Sequence, residues 1–257
     1  STGGATSNNR STLPWINGVF DNTDTAAKVD AFETMAGQQI DLVDCHPAWA
    51  DMTSNWWYDQ HQGTGRNIML SAPLYGPSGI GVSSASTWGT AAANLAAAGF
   101  PQAFFRPGVE FNLANESPCT DANWTTWATR FEEVADAITA AMPNANIILC
   151  PNEGLGAGNL SQANSIALVN RLAPKIKWLG PDYYDQWEPI TDTTTATARF
   201  GTSSTFGTMD WWLAKAQSLG KQLCIPEWGV SSGSQWAPHA GNDNPFYINY
   251  LMDWAAT

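Results

Sequence analysis

Two glutamates stand out by their settings. Glu110 lies in AFFRPGVEFN (103–112) and Glu227 in KQLCIPEWGV (221–230), each at the end of an apolar run of strand length and each followed by an aromatic residue. Alone, a glutamate at a strand end reads as an ordinary solvated residue. Two carboxyls in matching settings suit the cleavage of an acetal by double displacement, in which one is held protonated to release the leaving oxygen and the other attacks the carbon. That chemistry needs the pair ~5–5.5 Å apart. Apolar neighbours raise a carboxyl pKa and a cation lowers one, so Arg106 is placed to keep the attacking group ionised. Period-two alternation would put Arg106, Gly108, Glu110 and Asn112 on one side of their strand, and Leu223, Ile225 and Glu227 on one face of theirs.

Other chemistries lack their patterns. His46, His61 and His239 are too scattered for a metal motif, no C-x-x-C pair is present, and no G-x-G-x-x-G or Walker loop follows a strand, so neither metal nor cofactor is expected. Glu153 reads either as a loop residue or as a further carboxylate near the site. Cys45, Cys119, Cys150 and Cys224 allow three pairings, and at least one disulfide is expected in an oxidising compartment. The alternative is that Cys150 and Cys224, inside apolar runs, are buried thiols.

The elements that must carry these residues alternate. Strand-like runs occur at 13–20, 39–47, 66–75, 103–112, 145–154, 177–187 and 221–230, with helical patterns between them. The clearest helix is 124–142, where Trp124, Trp127, Phe131, Val134, Ile138 and Ala141 form one apolar face; others start near Ser86, Ser161, Thr208 and Pro245. A helix after the first strand, capped by Thr23 or Asp24, would bury Val29, Phe32 and Met35. Strands that are apolar throughout and alternate with helices indicate a parallel sheet covered on both faces, and seven such units favour a (β/α)8 TIM barrel, read as one domain over 1–257. An eighth strand is not identifiable, so either the strand count is off by one or the expected monomer is completed by a missing, cleaved or separate segment. In such a barrel the strand ends build the site.

The 257 residues include 11 Lys+Arg and 23 Asp+Glu, a net charge of −12 that disfavours nucleic acid and anionic membranes as partners. No apolar run is long enough to span a bilayer. The polar opening, the few lysines and the many Asn and Trp residues suit a secreted, extracellular protein. Of the 14 tryptophans, Trp49, Trp56, Trp57, Trp187, Trp228 and Trp236 follow strands, where indole faces can stack on sugar rings. Trp124, Trp127, Trp211, Trp212 and Trp254 sit at helical positions and read as packing residues.

Three segments carry a resemblance to a known family. RPGVEFN resembles the acid/base segment of glycoside hydrolase family 26, LGPDYYDQW its sixth-strand segment and CIPEWG its nucleophile segment, all in the family's order. Sister families of the same clan share this plan. The resemblance implies a retaining, endo-acting hydrolase of β-linkages in a neutral polysaccharide, mannan first, with Glu110 as acid/base and Glu227 as nucleophile. It further implies that Arg106 orients Glu227, that Tyr184 donates to it, and that His46 contacts the sugar; Asn112, Asp182, Trp49, Trp187 and Trp228 complete the expected substrate site. The chain departs from the family at Val109, where members usually carry His, and a strand-eight Trp is not found. β-Glucan or xylan as substrate, transglycosylation, and a non-catalytic carbohydrate-binding protein are the alternatives.

Overall fold

The computed structural model describes residues 10–20, 25–113, 118–153, 159–186, 189–230 and 241–256. Along the chain run β1 (Gly18–Phe20), α1 (Ala26–Ala36), β2 (Leu42–Cys45), β3 (Asn67–Ala72), α2 (Ala85–Ala97), β4 (Phe104–Pro107), α3 (Trp124–Ala141), β5 (Asn146–Leu149) and α4 (Gln162–Leu172). They are followed by β6 (Trp178–Leu179), β7 (Tyr183–Asp185), α5 (Thr193–Phe200), α6 (Met209–Ser218), β8 (Gln222–Leu223), β9 (Trp228–Val230) and α7 (Pro245–Ala255). The paired strands are parallel and the fold is of the (β/α)8 barrel class. Among the described residues there is no eighth β/α unit, and no helix is long and apolar enough to cross a membrane.

The chain forms two compact units, one of Ser1–Val109 with Thr125–Ile148 and one of Glu110–Trp124 with Leu149–Thr257. In the first, β1 through β5 pair in sequence order, in registers such as Val19↔Val43, Asp44↔Met69 and Ser71↔Arg106. Every residue of β2, β3 and β4 is buried, as a parallel sheet covered on both faces requires. The expected face of α3 packs here, with Trp127, Phe131, Val134 and Ile138 all buried. The first helix differs from expectation: Thr25 is its N-cap, Thr23 and Asp24 lie outside the described residues, and only Val29 is buried. Met35 sits about 240° around the helix from Val29 at 100° per residue, which turns it outward to 77% exposure, and Phe32 is exposed as well.

In the second unit the ladder is interrupted. The run expected as one strand at 177–187 appears as β6 and β7, and that at 221–230 as β8 and β9; β6 pairs with β8, and β7 with β9. Each break contains a proline, Pro181 or Pro226, which has no N–H to give the ladder. Proline also closes β4 at Pro107 and follows β2, β3 and β5 at Pro47, Pro73 and Pro151. Side-chain alternation therefore does not continue to Asn112: residues 108–112 form turns. This unit is cored by Tyr183, Ile190, Phe200, Met209, Tyr247 and Leu251. Its helix α5 was not anticipated, because TTTATARF has weak helical propensity. Asp192 starts it with a capping box, accepting from Thr195 N at 2.8 Å while Thr195 Oγ1 accepts from Asp192 N at 3.1 Å.

Candidate active site

After β4 the backbone turns through two left-handed residues, Gly108 at φ 71° and Glu110 at φ 47°. A Cβ at position 108 would lie 2.7 Å from the Trp127 ring and 3.1 Å from Leu74 Cβ, so only glycine fits. At Glu110 the same conformation costs a side-chain-bearing residue about 1–2 kcal/mol. Surrounding bonds offset it: Leu113 N donates to Glu110 O at 2.9 Å, Phe111 N to Cys150 O at 3.2 Å, and Cys119 N to Phe111 O at 2.7 Å. Strain held in this way is a mark of functional positions. Asn112 and Asn152 brace the turn reciprocally, Asn112 Nδ2 donating to Asn152 O at 3.0 Å and Asn152 N to Asn112 Oδ1 at 2.7 Å. Asn152 then donates through Nδ2 to Glu110 Oε1 at 2.7 Å.

Glu227 stands in the break before β9. Its N–H donates to Asp182 Oδ1 at 3.0 Å, its carbonyl accepts from Tyr183 N at 2.8 Å, and its Oε2 accepts from the Tyr184 hydroxyl at 2.8 Å. Asp182, proposed from sequence as a substrate contact, is fully buried. Its carboxylate serves the Glu227 backbone on one oxygen and the Cys150 thiol on the other, at 3.3 Å. Asp182 also pairs with Asn152 as an isolated parallel bridge, its N–H donating to Pro151 O and its carbonyl accepting from Glu153 N. A single frame, Asn152 to Asp182, thus carries both glutamates within the second unit, and both are half-buried.

The first unit holds its own polar cluster. Asp44, on β2, is buried and accepts from Ser71 Oγ at 2.6 Å. Its other oxygen lies 2.9 Å from His46 Nε2 and 3.8 Å from the Arg106 guanidinium, while Arg106 approaches His46 Nε2 at 3.3 Å. Burial works against the Asp44 charge, but Arg106, His46 and Ser71 outweigh it and hold the carboxyl below its usual range.

No family model matches the sequence, and no curated protein matches it. Solved structures do. The catalytic domain of a mannanase from Streptomyces sp. SirexAA-E is similar over 94% of this chain and 71% of that one, with a TM-score of 0.55 at 13% identity. A bacterial Ig-like domain-containing GH10 xylanase from termite gut is similar over 86% of this chain and 56% of that one, with a TM-score of 0.51 at 12% identity. The fold is one shared with known glycosidases. At such identities the likeness concerns the fold alone.

The aromatic residues divide. Trp228, beside Glu227, is 40% exposed, and Trp56 is exposed, while Trp57 is fully buried and donates through its indole N–H to Asp51 O at 3.2 Å. Trp49 is half-buried against the backbone of Gly76, where a Cβ would collide with its ring. Trp187 and Trp236 lie outside the described residues. The expected disulfide is absent: all four cysteines are thiols. Each is placed in its own surroundings, Cys45 donating to Trp57 O at 3.7 Å and Cys150 to Asp182, and burial, with Asp121 nearby, pushes the Cys119 thiol up to about 12.

Two residues of these clusters, one in each unit, are not among the sequence expectations. Asp44 could have been found as a carboxylate inside an apolar run, which cannot stay buried without partners. Asn152 is an uncharged residue after β5 with no pattern of its own, and its part comes only from the Glu110 and Asn112 side chains it meets.

Proposed function

We propose that this chain is a retaining, endo-acting glycoside hydrolase that cleaves β-linkages in a neutral polysaccharide, with mannan as the first substrate to test. The observation that carries the reading is the frame just described, which fixes one oxygen of each half-buried glutamate by a specific donor, Asn152 on Glu110 and Tyr184 on Glu227. In this reading Glu110 protonates the glycosidic oxygen while Glu227 attacks the anomeric carbon to form a glycosyl-enzyme. Glu110 then takes a proton from water as that water releases the sugar. Tyr184 orients Glu227 by gripping Oε2, and the exposed face of Trp228 beside it receives a sugar ring. The family 26 resemblance of the three segments supports the choice of substrate, and the fold shared with known glycosidases supports the reaction class.

The test is reducing-end release from mannans, xylans and β-glucans by the wild type and Glu227→Ala, with the anomer of the first product read by NMR. Mannan hydrolysis with retention, lost in the variant, is the expected result. Hydrolysis of xylan alone would move the substrate, and an inverted first product would overturn the double displacement. Polysaccharide binding without hydrolysis in either protein would make the chain a carbohydrate-binding protein, and products lengthened by added acceptor sugars would make it a transglycosylase.

A further inference from the structure

The frame that carries the two glutamates is itself tied from behind by one side chain. Arg199, on the last turn of α5, is mostly buried and spreads its guanidinium over β7. One terminal nitrogen donates to Gln186 O at 2.9 Å; the other donates to Tyr184 O at 3.2 Å and to Glu153 Oε1 at 2.6 Å. The plane lies over the Tyr183 ring, 5.3 Å from its centroid. Its contacts therefore reach both arms of the site. Glu153 follows Asn152, the donor to Glu110, and Tyr184 is the donor to Glu227.

We infer that Arg199 is a positioning residue, a clamp that joins the end of β5 to β7 and so sets the Asn152 amide on Glu110 and the Tyr184 hydroxyl on Glu227 at the same time. A planar fork can hold two carbonyls and a carboxylate together, which a lysine ammonium on its single stem cannot. Glu153 is the anion that seats the fork, and its side chain acts through Arg199 on the site rather than on the sugar. The inference rests on the proposed hydrolase reading for its kinetic consequences, but the clamp itself can be observed without any substrate.

Two measurements test it on the full chain. The first is the carboxyl 13C spectrum of glutamate-labelled protein, with Glu110 and Glu227 signals assigned from Glu110→Gln and Glu227→Gln. Arg199→Met is expected to move both signals, Tyr184→Phe mainly that of Glu227, and Glu153→Gln to move both by less. The second is kinetic. Arg199→Met should lower kcat about 10- to 100-fold with KM within about threefold, as a small misplacement of reacting groups does, and Arg199→Lys should recover part of the loss. In a Tyr184→Phe background the further loss from Arg199→Met should shrink to about threefold, because part of the effect runs through Tyr184.

Unmoved carboxyl signals in folded Arg199→Met and Arg199→Lys would overturn the clamp. So would a kcat loss of equal size in both backgrounds, the mark of a purely structural role. If Arg199→Met does not fold, Arg199→Lys and Glu153→Gln carry the same comparison. Moved signals in a protein that hydrolyses no polysaccharide would leave the clamp standing and remove the hydrolase reading.

Discussion

The two units use the same raw material differently. In the first, β2 and β3 run unbroken through a sealed core, and its polar groups lock one element to the next: Glu33 on α1 accepts from Arg10, Arg66 and Ile40 N, and Asp44 binds Ser71 across β2 and β3. In the second, two strands stop at Pro181 and Pro226 and resume. The backbone groups released there are taken up by side chains such as Asp182, and the glutamates hang on the result. In an unbroken ladder the backbone groups are spent on each other, and side chains such as Ser71 and Asp44 lock strand to strand. Where the ladder is broken the freed backbone groups recruit side chains, and under the proposed reading the two glutamates are held there.

Substitutions at the breaks are therefore expected to cut activity, and substitution of the Glu33 lock in the first unit to cut stability. Glu227→Ala should show the largest effect, a loss of roughly 10⁴-fold or more in kcat, as removal of a nucleophile does. Its urea midpoint should stay close to wild type, because the side chain removed is half-buried and held by the Tyr184 hydroxyl outside the packed core. A collapse of the fold in this variant would break the comparison at once.

Asp182→Ala comes next. It strips the acceptor from the half-buried Glu227 N–H and from the buried Cys150 thiol. The expected outcome is loss of both properties: a drop of about 1–3 kcal/mol for the buried donor left unmade and a fall in kcat of about 10²-fold from the displaced glutamate. Denaturation and kinetics on the same preparation separate the two. Tyr184→Phe sharpens the division further, since it removes one hydroxyl from the Glu227 carboxylate and leaves the packing of the ring in place. A fall of about 10-fold in kcat with unchanged thermal midpoint is expected, in line with one oriented donor to a charged group. A change in stability without a change in kcat would place Tyr184 with the structural residues.

How much of this was legible in the sequence follows the same division. In the first unit the apolar runs were whole and the α3 periodicity was strong, so strands and helix were readable, and the miss at Met35 came from counting spacing without angle. In the second unit the runs 177–187 and 221–230 were found, but each was read as one strand although Pro181 and Pro226 were there to divide it. Glu110 and Glu227 were legible as a pair in matching settings, and Tyr184 only through the likeness of LGPDYYDQW to a family segment. Asn152 and Arg199 were not, since an asparagine in a loop and an arginine on a weak helix acquire meaning only from what they touch. The cysteines misled because spacing alone cannot distinguish a bridge from thiols buried in separate surroundings.

The smallest expected effect on activity belongs to Glu33, and it tests the first unit by pH. This carboxyl is largely buried, which opposes its charge, but hydrogen bonds from Arg66, Ile40 N and Arg10 prevail and lower it from 4.5 to about 2. A carboxyl lowered in the folded state contributes its full stability above the unfolded value and loses it as pH falls toward the folded one. The wild type should therefore lose stability between about pH 4.5 and about pH 2 on this account. Glu33→Gln should be less stable at pH 7 by about 2 kcal/mol, the scale of a hydrogen bond to a charged group. The gap should narrow below pH 4.5, where the wild-type carboxyl begins to lose the same advantage. Urea midpoints of the two proteins from pH 7 to pH 3 give the difference directly, and kcat at pH 7 should match wild type. A constant gap across that range would mean that Glu33 acts by shape and not by charge. A lowered kcat would mean that the first unit's locks reach the chemistry after all.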